Sequence, residues 1–196
     1  MATSLPPRGA VPVEQTWDLA SVYPSDAAWD AAMADALAAL PEAGRFAGRL
    51  ADAGTLLEAL AERDHWETLA WRLRTYAALQ AKADQTDPAG VAHTQQALGL
   101  LDRVAGTFAY LEPEILAMDR DHLATLVAAE PGLAVYAHYF DTLQRRQAHV
   151  RAAEVEEALA AAGALAAAPY ETYKALANAE LGFGSVSTRG GRAVEV

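Results

Sequence analysis

Five histidines, His65, His93, His122, His138 and His149, are the residues with the first claim to chemistry in this sequence. Zinc hydrolysis on a helix needs two imidazoles one turn apart, with a glutamate beside the first to activate the metal-bound water. No two of these histidines lie three or four residues apart, so no single helix turn presents such a pair. The nearest combination is His138 and His149 with Glu154, on neighbouring segments that would have to converge through folding. Interhelical or solvent-facing hydrogen bonds account for those side chains with fewer assumptions. The sequence therefore assigns no catalytic residue, no cofactor-binding residue and no metal ligand.

Other reactive groupings reduce to local structure. Glu112 and Glu114 flank Pro113 and could work as an acid and base pair, but a helix interruption with a solvated turn explains them more simply. Glu154, Glu156 and Glu157 open a predicted helix, where the backbone dipole favours negative charge. Arg145 and Arg146, near the end of the helix before it, have the mirror-image explanation. Gly182-Phe183-Gly184 and Gly190-Gly191 lack the strand-loop-helix setting of a phosphate cradle and read as turns. No serine sits in a nucleophile elbow, and the absence of cysteine removes thiolates and disulfides together.

The elements that would carry these residues are mostly helical. Pro6, Pro7, Pro12 and Pro24 mark residues 1–24 as an extended arm, pinned by Trp17, Leu19 and Tyr23. Ser25 then caps a helix whose apolar face repeats as Trp29, Met33, Ala36, Leu37 and Leu40, ended or kinked by Pro41. From Gly54-Thr55 a long helix runs to about Asp84, with Trp66, Leu69, Ala70, Leu73, Tyr76 and Ala77 at helical spacing. Asp87-Pro88 starts the next helix, which returns antiparallel with Val91, Leu98, Leu101, Ala105 and Phe108 as its stripe. Helices follow over 120–129, 133–147, 151–167 and about 169–178, the third of them rich in alanine. The aromatic residues on these faces, Trp66, Tyr76, Phe108, Tyr110, Tyr136, Tyr139 and Phe140, are expected in the core, with a fraction lining a concave surface.

Only the last stretch changes period. Phe183–Ser187 and Ala193–Val196 alternate around Thr188-Arg189-Gly190-Gly191, the pattern of a β-hairpin. Its second strand runs to the last residue, so the expectation is a hairpin cut short, since domain boundaries fall in exposed polar linkers. The expected organisation is an arm over 1–24, a helical domain over 25–180 and a truncated hairpin over 181–196. In class this is a mostly α, antiparallel helical bundle.

A hydrophobic content of 53% in 196 residues suffices for a sizeable core. The net charge of −11 repels phosphate backbones and anionic lipid, which argues against nucleic acid and membrane as partners. The N-terminus has no basic-then-apolar leader, and no stretch reaches the roughly 18 apolar residues of a membrane span. A soluble, unprocessed, cytoplasmic protein is expected.

Thr16-Trp17-Asp18-Leu19, then Tyr23-Pro24-Ser25-Asp26 and Trp29, resemble the N-terminal signature of the oligoendopeptidase F branch of thimet oligopeptidase-like zinc peptidases. The resemblance continues in order through Asp84-Gln85-Thr86-Asp87, Phe108, Glu112-Pro113-Glu114-Ile115-Leu116 and Tyr136-Ala137-His138-Tyr139. It ends with Glu171, Tyr173, Leu176, Asn178-Ala179-Glu180-Leu181 and Phe183-Gly184, so it spans nearly the whole chain. Glu180 stands where the family usually has aspartate, and Ala177 where it usually has threonine.

The resemblance implies a helical N-terminal part forming one wall and roof of a deep cleft that admits short flexible peptides. In such enzymes zinc and the catalytic groups belong to a later region, so no family catalytic residue maps onto this sequence and this chain holds no cofactor of its own. The expected function is the non-catalytic part of a zinc-dependent oligopeptide hydrolase, inactive alone. Its expected partner is a separately encoded catalytic half or a second copy of itself, with oligopeptides as ligands. The alternative is a free-standing helical module that self-associates or holds peptides without cutting them. An isolated enzyme would need a metal site assembled from the scattered histidines.

Overall fold

Each long helix begins where a short polar side chain can accept an orphan backbone N–H. The Ser25 hydroxyl accepts from the Ala28 amide (3.2 Å) at the start of α1, Asp26–Ala39. Asp52 accepts from Thr55 (2.9 Å) and opens α2, Ala53–Ala83, two residues before the expected Gly54-Thr55 start. Asp87, followed by Pro88 in the first turn, opens α3, Pro88–Thr107. Then come α4, Leu111–Ala117, and α5, Arg120–Ala129, capped by Asp119. The last is α6, Ala137–Gln147. In this computed structural model the described residues are 8–84, 87–147, 162, 168–170, 172–173, 176, 184–188, 191 and 193–195. The helix expected over 151–167, with Glu154, Glu156 and Glu157, falls outside them but for residue 162, as does His149, and of the helix expected over 169–178 the described residues 169–170 and 172–173 are helical.

Residues 6–145 form one unit, and the described residues after 145 belong to a second. Within the first unit α2 and α3 are antiparallel: Gly90, at the start of α3, packs on Ala81, near the end of α2. At the opposite end of the pair, Arg63 and Glu67 of α2 lie with Ala105 and Phe108 of the α3 terminus around one cleft. Helix α1 crosses the pair through Trp29, which is wholly buried and donates its indole N–H to the Leu73 carbonyl (2.9 Å). In the second unit β1, Ser185–Ser187, pairs antiparallel with β2, Ala193–Glu195, Val186 opposite Val194. Gly191, at φ +78°, takes the turn position its missing Cβ permits. The mostly helical class and the terminal hairpin are as the sequence predicts.

Several details differ. On α3 the buried face runs through Gly90, His93, Ala97, Leu100 and Val104, one residue out of step with the predicted stripe. Val91 and Leu98, predicted to be core, are 48% and 36% exposed. Close approach is the reason: a Cβ at Gly90 would stand 3.0 Å from the Ala81 backbone, so this interface selects small residues ahead of the most apolar ones. The predicted helix over 133–147 is two elements, a 3-10 segment Pro131–Tyr136 and then α6, because Pro131 and the Glu130 cap on the Gly132 amide set a tighter start. The arm holds short 3-10 turns over Arg8–Ala10, Val13–Gln15 and Leu19–Ser21. Tyr23 is buried and Leu19 and Val22 pack on the core, whereas Trp17, an expected pin, is 53% exposed.

Candidate functional site

Pro113 interrupts nothing. It lies in the first turn of α4, where a proline forfeits no intrahelical bond, and so the expected solvated turn is a helix start. The flanking carboxylates are thereby separated in role. Glu114 accepts the Gly48 amide N–H and ties the loop after α1 to α4. Glu112 has no such bond among the described residues and stands on the rim of a cleft of about 410 Å³ formed by α2, the end of α3 and the first turns of α4 and α6. The apolar part of that cleft is Ala105, Phe108, Ala109 and Leu111, and its polar part is Arg63, Glu67, Glu112 and Tyr139.

Arg63 is held rigidly there. Its guanidinium donates to Asp64 (2.8 and 3.1 Å), lies 3.9 Å from Glu67 and stacks over the Tyr139 ring at 4.7 Å. Burial works against its charge, but the Asp64 hydrogen bond and the anionic neighbours outweigh it and raise the pKa further. Asp64 is also the acceptor for the Tyr136 hydroxyl (2.7 Å). Burial, with the hydrogen bond to Asp64, pushes the Tyr136 phenol up to about 12. The buried Tyr139 hydroxyl has no hydrogen-bond partner among the described residues. Burial raises its pKa and Arg63 partly opposes the rise. The cleft thus sets the Arg63 guanidinium among carboxylates and aromatic rings.

The four described histidines form no metal-binding group, and His149, named above with His138 and Glu154, lies outside the described residues. His65 meets only Trp66 edge-on, while His122 and His138 are exposed on α5 and α6. His93 is buried and fully engaged. Gln80 donates to Asp26 (3.1 and 3.2 Å), so its carbonyl oxygen must face His93 Nδ1 (2.9 Å), which therefore carries the hydrogen. Nε2 of the same ring lies 3.3 Å from Asp30, and the ring stacks on Trp29 at 4.2 Å. Tyr76 closes this knot by donating to Asp26 (2.7 Å), and burial together with that carboxylate pushes its phenol up to about 12. Both faces of the imidazole edge are used in joining α1, α2 and α3, a role its sequence position did not signal.

Among the described residues no group of three or more His, Asp or Glu side chains could hold a metal ion. Among the described residues the donor set does not fit zinc, since the buried imidazole of His93 has both nitrogens committed and His65, His122 and His138 belong to no such group. Arg145 pairs with Asp141 one turn earlier (2.8 Å), in keeping with its reading as a helix-end cation. No helix of the described residues is long and apolar enough to cross a membrane.

Known proteins are similar to this chain in sequence and fold. A family model described as oligopeptidase F matches residues 114–183. Oligopeptidase PepF of Bacillus subtilis is 30% identical over all 196 residues, which cover 29% of that protein. Group B oligopeptidase PepB of Streptococcus agalactiae is 27% identical over 96% of this chain and 32% of its own length. The crystal structure of oligoendopeptidase-F from Enterococcus faecium superposes with a TM-score of 0.71 at 28% identity, over 87% of this chain and 33% of that one. The chain thus spans about a third of the length of the relatives it matches.

Proposed function

This chain corresponds in sequence and fold to the N-terminal region of oligoendopeptidase F, and from that premise we propose that it forms the helical, substrate-enclosing part of an oligopeptide hydrolase whose catalytic groups lie outside residues 1–196. One observation carries the reading. A chain that aligns from end to end with a peptidase offers, among its described residues, a rigid apolar cleft with fixed charges and no donor set for zinc.

In this reading the cleft by Phe108 and Leu111 shelters an apolar side chain of the peptide from water. Glu112 on the rim, and Arg63 behind it, then orient the peptide through fixed charge. Zinc, when bound by the remaining part of the enzyme, supplies the activated water for hydrolysis; the residues here position substrate and exclude bulk solvent. The compartment proposed is the cytoplasm.

A quenched-fluorescent peptide library tests the division of labour. The chain alone is expected to show no chelator-sensitive cleavage, and a longer protein joining it to a zinc-bearing catalytic region is expected to show it. Chelator-sensitive turnover by residues 1–196 alone overturns the proposal.

A further inference from the structure

A second groove lies between the helices of the long pair, away from the Arg63 cleft. Arg74, Ala78, Ala81 and Lys82 of α2 and Val91 and Thr94 of α3 enclose about 460 Å³. Its depth has a physical origin. Gly90 lets α3 approach the Ala81 backbone, and the small side chains of Ala78, Ala81 and Thr94 leave the space between the helices unfilled. Trp71 stands one turn before Arg74, half exposed, with the guanidinium 4.9 Å above its ring. Val91 and, two turns on along the same side of α3, Leu98 carry exposed apolar surface beside it.

Among the described residues the lining is charged in one sense only. Arg74 and Lys82 line the groove, no carboxylate does, and neither cation forms an ion pair among the described residues. In a chain of net charge −11 this is a local reversal of sign at an apolar depression. Eight residues of helix separate the two cations by about 12 Å, which an extended peptide spans with carboxylates about four residues apart.

We propose that this groove binds an extended peptide segment with two acidic side chains so spaced and apolar side chains between them. The carboxylates meet Arg74 and Lys82, and the apolar residues cover Ala78, Ala81 and Val91. This goes beyond the peptidase reading and does not depend on it, because the one is read by binding to the isolated chain and the other by turnover of a longer protein.

The test is fluorescence anisotropy of the full chain with a labelled pentapeptide carrying glutamates at its ends and leucine, valine and leucine between. Saturable binding that weakens with added salt is expected. Arg74→Ala with Lys82→Ala should weaken it about tenfold, two exposed ion pairs being lost, while Arg74→Lys retains most of it. Ala78→Leu should block it by filling the floor. Circular dichroism melting confirms that each variant is folded. Absence of binding overturns the proposal, as does equal binding of a peptide with glutamine ends or with a serine centre. A reversible dimer in light scattering that Val91→Lys disperses also overturns it, by assigning this face to a second copy.

Discussion

Trp29 joins three helices through one side chain, since it is wholly buried, donates to the Leu73 carbonyl on α2 and stacks on His93 of α3. Truncation to alanine leaves a ring-sized void in a close-packed interior, and Trp29→Ala is expected to cost about 3–5 kcal/mol in urea unfolding followed by circular dichroism. The two tyrosines bonded to carboxylates give a pH signature. Tyr76 and Tyr136 titrate near 12 when folded and near 10 when unfolded. Above about pH 10 the unfolded chain has lost protons that the folded one keeps, so stability falls as pH rises. Their contribution is therefore full below about pH 10 and lost by about pH 12. The urea midpoint is expected to drop across this window, and Tyr76→Phe with Tyr136→Phe should flatten the drop.

At the level of elements, the contact between α2 and α3 depends on glycine for one reason at one place. Gly90→Ala puts a methyl 3.0 Å from the Ala81 backbone, which cannot rotate away, and is expected to cost about 1–3 kcal/mol. Gly99, with nothing within 4 Å of its would-be Cβ, is the control. Gly99→Ala should stabilise by up to about 1 kcal/mol through helix propensity alone. The displaced face of α3 gives a second contrast. Leu100 is 1% exposed, so Leu100→Ala should cost about 2–5 kcal/mol, whereas Leu98→Ala should stay within about 1 kcal/mol. Equal losses at the two leucines would restore the face that periodicity alone predicts.

For the molecule as a whole, the histidines decide how it responds to metal. A ligand that binds the folded state and not the unfolded chain raises the melting temperature, and the rise grows with the logarithm of its concentration above Kd. Among the described residues His65, His122 and His138 belong to no metal-binding group and His93 is committed to Gln80 and Asp30, so these four histidines are expected to give added zinc or chelator no effect on the melting temperature. A metal-dependent rise that His138→Ala removes would place a site where the side chains predict none.

Caps and periods are local, and the sequence alone was enough to place them: Ser25 at α1, Asp87-Pro88 at α3, and the alternation that yields the Ser185–Glu195 hairpin. The spacing of the histidines likewise settled that no helix turn presents a zinc pair. Tertiary structure decided what depends on neighbours distant in sequence. It put Gly90, His93 and Ala97 on the buried face of α3 in place of Val91 and Leu98, made Pro113 a helix start, and brought Arg63 to Tyr139 and His93 to Gln80 and Asp30. Apolar periodicity shows that a helix has a face to bury, but how closely the partner helix approaches determines which residues fit there, and that distance is a property of two segments together.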